Sequence, residues 1–296
     1  MRGLSERLAA GEVLLADGAI GTMLMARGLE AGGCPEAFAL ESPAALEEIA
    51  RLYAEAGADL VQANTFGASP LKLAAYGLEA RTREIVLRAV ECVRRGAGGR
   101  ALVYGSCGPC GRLLEPWGDV SPGEVRESFS TTMRALAEAG ADAVIVETMT
   151  DVSEASIAVR AARDAMPGVP VVATMTFDRT PRGFFTIMGT GVEEACRALE
   201  EAGASAVGSN CGQGSDAMVE IASEFRKRTA LPVAIQPNAG IPRREAGATV
   251  WPEPPAFMAA RVRDLLRLGV RIVGGCCGTT PEHVRAFREV VEGGGA

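Results

Sequence analysis

A phrase recurs along this 296-residue chain: AEAGADLV at 54–61, AEAGADAV at 137–144 and EEAGASAV at 200–207, with a weaker echo, RLGVRIV, at 267–273. Each copy reads as the end of a helix, a glycine cap and the start of a buried strand. Repetition of that joint points to alternating β and α units, and it argues against all-helical and all-β architectures.

Short apolar runs supply the strands. Eight are legible: VLLAD (13–17), LVQAN (60–64), ALVYG (101–105), AVIVE (143–147), PVVATM (170–175), AVGSN (206–210), PVAIQ (232–236) and RIVGG (271–275). A helix is expected after each, over 43–57, 81–95, 123–139, 152–165, 192–202, 215–229, 255–268 and 281–292. Val125, Phe129, Met133 and Leu136 form one stripe of the third. Thr280, Pro281 and Glu282 give the last a cap, a first-turn proline and an acid at the positive end of its dipole. Strict alternation with apolar strands predicts a single (β/α)8 TIM barrel with its active site at the C-terminal rim. An open doubly wound sheet is the alternative. No linker, low-complexity segment or composition break divides the chain, so residues 1–296 are expected to form one domain. The stretches 18–42, 106–122, 178–191 and 237–254 carry no regular pattern and follow strands, which puts them at that rim.

Hydrophobic residues make up 48% of the chain but aromatic ones only 5%, so Ala, Gly, Val and Leu must fill the interior. A net charge of −7 argues against a nucleic-acid partner, which needs clustered Lys and Arg. The first residues lack a signal-peptide pattern, and no apolar run is long enough to span a bilayer. The expectation is a cytoplasmic protein without membrane contact, whose eight cysteines stay reduced. The single histidine, His283, leaves little room for imidazole chemistry and reads as a first-turn helix residue with a structural hydrogen bond.

Cys211 ends the sixth strand in GSNCGQG, and Cys276 and Cys277 end the eighth in GGCCGTTPEH. In a barrel both segments reach the same rim, so three sulfurs can converge. Three thiolates suit zinc, and three protein ligands leave a fourth position open, as in catalytic sites. Adjacent cysteines cannot share one face of a pleat; Gly274, Gly275 and Gly278 could relax the backbone so that both reach one metal. The alternative is that buried cysteines serve as small hydrophobes, which suits Cys34, Cys92 and Cys196 better. Cys107 and Cys110 form a CGPC tetrapeptide resembling a dithiol redox centre, but no helix opens directly after it as such a motif requires. Trp117 and Trp251 fall in rim loops, where they either pack or meet a second substrate.

GGCCGTTPEHV, GSNC, PNAG (237–240), DGAIGT (17–22), ANTFGAS (63–69) and ETMTD (147–151), in their order along the chain, resemble the homocysteine S-methyltransferase family from Asp17 to about Val291. GPCGRLLEPWGD (108–119) is similar to the homocysteine-binding module of cobalamin-dependent methionine synthases, with Cys110 in place of a small hydroxyl residue. Gly67 after Phe66 departs from the betaine-dependent branch, which has Tyr there. Gln236 before PNAG, where Glu is usual, and GQG after Cys211 depart from methionine synthases. The resemblance implies Zn2+ on Cys211, Cys276 and Cys277, with Asn238 in the fourth position when substrate is absent. It implies that Asp17 and Glu147 bind the homocysteine ammonium and that amides near Gly18 and Ala19 hold its carboxylate. Read without the resemblance, those two acids would be strand-end salt bridges. No side chain is expected to act as general base, since the zinc-bound substrate thiolate is itself the nucleophile. The implied donor is methylcobalamin or a methylated corrinoid on a separate protein, because the eight units leave no segment for a corrinoid. S-methylmethionine or another sulfonium is the alternative donor.

Overall fold

The computed structural model describes residues 2–30, 32–245 and 248–293. Eight strands form one sheet: β1 (Leu14–Leu15), β2 (Leu60–Gln62), β3 (Leu102–Cys107), β4 (Ala143–Met149), β5 (Val171–Met175), β6 (Ala206–Asn210), β7 (Val233–Gln236) and β8 (Ile272–Val273). Their spatial order is β1–β8–β7–β6–β5–β4–β3–β2, every pair parallel. The two ends meet at the Ala16–Leu60 bridge, where Asp17 N donates to Leu60 O at 3.0 Å and Asp59 N to Leu15 O at 2.7 Å. The sheet is therefore a nearly closed barrel, and the open doubly wound alternative falls away.

The alternating helices are α1 (Pro43–Glu55), α2 (Thr82–Ala97), α3 (Pro122–Glu138), α4 (Val152–Ala165), α5 (Val192–Ala202), α6 (Ser215–Arg226), α7 (Pro255–Arg267) and α8 (Pro281–Glu292). They match expectation within about two residues except α6, which stops at Arg226 rather than running to 229. In the repeated phrase, Gly57, Gly140, Gly203 and Gly269 have φ of 101°, 70°, 99° and 81°, the left-handed conformation that ends a helix and turns the chain toward the next strand.

Strand parity separates two environments. Val103, Val144, Val146, Val171, Ala173 and Val207 pack outward under the helices, where Val125, Phe129, Met133 and Leu136 of α3 meet them. Leu14, Ala16, Leu60, Leu102, Tyr104, Ala143, Ile145, Val172, Ala206, Ala234 and Ile272 fill the barrel interior. Leu4, 1% exposed, joins that interior cluster from an unanticipated helix, Leu4–Ala9, which caps the barrel base. Asp59 anchors the cap: it accepts from Arg7 at 2.9 Å, from the Leu15 amide at 2.8 Å and from Arg288 of α8.

The stretches read as irregular contain local structure. Ile20–Met25 and Phe38–Glu41 are short helices, and Asp178–Thr180 pairs antiparallel with Gly183–Phe185. Arg243–Glu245 pairs with Ala248–Val250 in the same way. Segments of three to six residues are too short for a hydrophobic period to show. Among the described residues no helix is long and apolar enough to cross a membrane.

Candidate functional site

The last inward position of six strands is polar: Gln62 (β2), Ser106 (β3), Glu147 (β4), Thr174 (β5), Asn210 (β6) and Gln236 (β7). Period-two alternation carries each of these side chains to the layer above the apolar interior. The apolar barrel thus ends in a polar ring just under the rim.

Asp17 and Glu147 are both buried in this ring. Asp17 Oδ2 accepts from the Gln62 amide at 2.8 Å, and Oδ1 from the Tyr104 hydroxyl at 3.0 Å. Glu147 Oε1 accepts from Ser106 Oγ and from Gln62 Nε2, and Oε2 accepts from Asn210 Nδ2 at 3.1 Å. Gln62 therefore links the two acids, one through its backbone and one through its side chain. Neither has a cationic partner among its hydrogen bonds, so the salt-bridge alternative does not describe them. Burial pushes both carboxyls up to about 7 despite these donors. Two buried acids held apart from any cation form a place where an incoming cation gains most.

Gly18 packs under Tyr53 and Thr279, where a β-carbon would come within 2.9 Å of the Tyr53 hydroxyl. That hydroxyl donates to Ala19 O at 2.9 Å. The Ala19 amide donates to Thr279 Oγ1 at 3.2 Å, which ties the 17–19 turn to the cysteine turn.

The sulfurs of Cys211, Cys276 and Cys277 lie within 4.8 Å of one another. Strand β8 ends at Val273, so the adjacent cysteines stand in a turn and not in a pleat, which removes the alternation constraint. The 236–239 segment stitches the two cysteine strands together. Cys211 N donates to Gln236 O at 3.1 Å, Cys276 N to Pro237 O at 2.8 Å and Ala239 N to Cys277 O at 2.9 Å. Gly278, with φ 80°, lies under the Trp251 ring, and a β-carbon there would come within 2.2 Å of it. Trp251 thus packs, while Trp117 stands 78% exposed.

A tetrahedral centre with Zn–S bonds of about 2.3 Å places its sulfurs about 3.8 Å apart, and Cys211 Sγ lies 3.9 Å from Cys277 Sγ. Hydrogen bonding with the Cys276 and Cys277 thiols pulls the Cys211 pKa down to about 3. The same contacts, with burial, push Cys277 up to about 12 and Cys276 above its ordinary value. Thiols this close share protons, which a soft divalent cation would displace on binding. The residues fit zinc. Asn238 Oδ1 accepts from the Cys277 amide at 3.1 Å, and its side chain also hydrogen-bonds Cys211. One accepted bond orients that oxygen at the ligand turn and leaves its second lone pair free.

Of the remaining cysteines, Cys92 and Cys196 sit in the core as small hydrophobes, whereas Cys34 is half-buried and donates to Glu36 at 3.5 Å. Cys107 and Cys110 are buried free thiols; burial raises both, Cys110 to about 12. A reactive dithiol needs the opposite shift. His283 Nδ1 accepts from the Thr280 amide at 3.1 Å, and Nε2 lies 3.1 Å from Glu253 O, so both ring nitrogens are occupied in the first turn of α8.

Gln62, Tyr104, Ser106, Asn210 and Thr279 were not singled out from sequence. The signal for four of them was available: each is a polar residue of inward parity at or near the end of an apolar strand.

Residues 14–291 match the family model described as homocysteine S-methyltransferase. The methionine synthase of Mycobacterium leprae is 35% identical over 301 residues, covering 95% of this chain and 24% of the relative. That of Mycobacterium tuberculosis is 34% identical over 298 residues, covering 94% and 24%. The chain thus spans about a quarter of the length of these curated relatives. The homocysteine methyltransferase MmuM of Escherichia coli in its metallated form superposes with a TM-score of 0.79 at 25% identity, covering 96% of this chain and 98% of that one. Its oxidised form gives 0.76 at 26% identity, covering 93% and 95%.

Proposed function

The chain belongs to the homocysteine S-methyltransferase family and is a methyltransferase; from that premise we propose that it methylates the thiol of L-homocysteine to give methionine on a zinc ion held by Cys211, Cys276 and Cys277. The observation that carries this reading is three sulfurs within 4.8 Å of one another at the barrel rim, beside two buried carboxyls that lack a cation. When bound, zinc would keep the homocysteine sulfur as a thiolate, on a centre made electron-rich by three protein thiolates.

The chain's own residues do the rest. Asp17 and Glu147 take the substrate ammonium, whose charge restores the ionised form that burial opposes. Backbone amides at Gly18 and Ala19 orient the carboxylate once substrate displaces Thr279 from the Ala19 amide. No general base is required, and His283 is fully engaged elsewhere. The whole chain, 1–296, acts as one unit.

The donor we propose is methylcobalamin or a methylated corrinoid protein, supported by the similarity to methionine synthases. A second reading has S-methylmethionine or another sulfonium as donor. It is favoured by the 98% coverage of MmuM, a homocysteine methyltransferase about the size of this barrel, since a small sulfonium needs no second domain to present it. Turnover of homocysteine with each donor decides: methionine formed from methylcobalamin supports the first, and formation only from S-methylmethionine establishes the second. No methionine from either refutes both.

A further inference from the structure

An ammonium group carries three N–H donors and accepts nothing. A buried pocket that holds one therefore needs three oxygens with free lone pairs, and the acid pair supplies two partners. Gln236 is 3% exposed, and its Oε1 has no hydrogen-bond partner. Buried side-chain oxygens in this state are rare, and each calls for an explanation. The other among the described residues, Ser209 Oγ, lies on the opposite parity of β6 and faces away from the interior.

Gln236 is tied to both acids. Its side-chain amide hydrogen-bonds the Tyr104 hydroxyl, which in turn donates to Asp17 Oδ1 at 3.0 Å. Its register partner on β6 is Asn210, whose amide donates to Glu147 Oε2 at 3.1 Å. Holding the amide nitrogen on Tyr104 turns the oxygen the other way, with nothing to accept from.

We propose that Gln236 Oε1 accepts the third N–H of the substrate ammonium, which makes Gln236 a binding residue that selects amino-acid thiols over simple thiols. The proposal rests on the homocysteine reading above.

The test compares homocysteine with 4-mercaptobutanoate, the same skeleton without its amino group, by calorimetric binding to the zinc-loaded full chain. In Gln236→Met, homocysteine binding should weaken about 10- to 100-fold, the range of one hydrogen bond to a charged group. Binding of 4-mercaptobutanoate and zinc content should not change. Gln236→Glu, which keeps an oxygen there, should recover most of the affinity for homocysteine. Equal weakening of both thiols in Gln236→Met would overturn the proposal in favour of a framework role through Tyr104. Unchanged homocysteine binding would overturn it outright. If Gln236→Met does not fold, Gln236→Glu carries the test: retained preference for homocysteine supports the proposal, and loss of it overturns it. Wild-type protein that binds neither thiol would instead sink the homocysteine reading itself.

Discussion

Cys211 adopts φ 60°, a left-handed conformation that a non-glycine residue enters at a cost of about 1–2 kcal/mol. Thr148, the neighbour of Glu147, does the same at φ 58°. Asn210, which precedes Cys211, holds Thr148 in place. Its Oδ1 accepts from Thr148 N at 2.7 Å and from Thr174 Oγ1 at 2.8 Å, while its amide donates to Thr148 Oγ1 and Glu147. Strain at these two points aims a sulfur and a carboxyl at one space. Glu147→Gln keeps the size and loses the charge, so KM for homocysteine should rise about 10- to 100-fold with zinc content unchanged, the scale of a charge-assisted hydrogen bond. Steady-state kinetics alongside metal analysis checks both halves. The double variant Cys107→Ser, Cys110→Ser should keep its zinc and its methyl transfer; loss of metal there would move the metal site to the wrong pair. The three sulfurs were legible in the sequence because their motifs carry the family pattern. Asn210 and Gln62 were not, because a polar residue within an expected strand shows no role until parity assigns it to the barrel interior.

At the scale of elements, the eight strands and eight helices were legible because glycine caps and buried runs repeat. The small antiparallel hairpins and the base-capping helix were not, because their order comes from tertiary contacts. Leu4 shows this: its burial beneath the barrel gives a six-residue helix a reason to exist that its own sequence lacks. Leu4→Ala should cost about 3 kcal/mol of stability, as for other buried leucines, with KM unchanged because the base lies opposite the rim. Denaturant unfolding measures it, and a loss below about 1 kcal/mol would mean that the cap packs loosely. On α3, Ser121 accepts from the Glu124 amide while Glu124 accepts from the Ser121 amide. Ser121→Ala should cost about 1 kcal/mol, read in the same experiment.

For the whole molecule, the buried acids couple stability to pH. Asp17 and Glu147 titrate near 7 in the folded chain, against ordinary values of 3.8 and 4.5. Between those limits the folded state holds protons that the unfolded chain has released, so stability falls as pH rises from about 4.5 to about 7 and then levels. His283 works in the opposite sense, since burial lowers its pKa and its contribution is lost on acidification. Cys211, pulled down by its neighbouring thiols, also opposes the fall, but two carboxyls against one thiol leave a net loss of stability up to about pH 7. Homocysteine, by pairing its ammonium with the acids, should remove the loss at pH 7–8, and its affinity should grow as pH rises toward 7. Melting temperatures across this range, with and without homocysteine, test the sign; stability that climbs steadily to pH 8 in the free protein would contradict it. The central claim, that three cysteines hold one metal and leave a place for a fourth sulfur, is tested most directly by zinc-edge X-ray absorption on anaerobically purified protein. The account predicts about one zinc per chain with three sulfur neighbours at about 2.3 Å, rising to four when homocysteine is added. Zinc that already has four sulfurs, or a shell that homocysteine leaves unchanged, would contradict it.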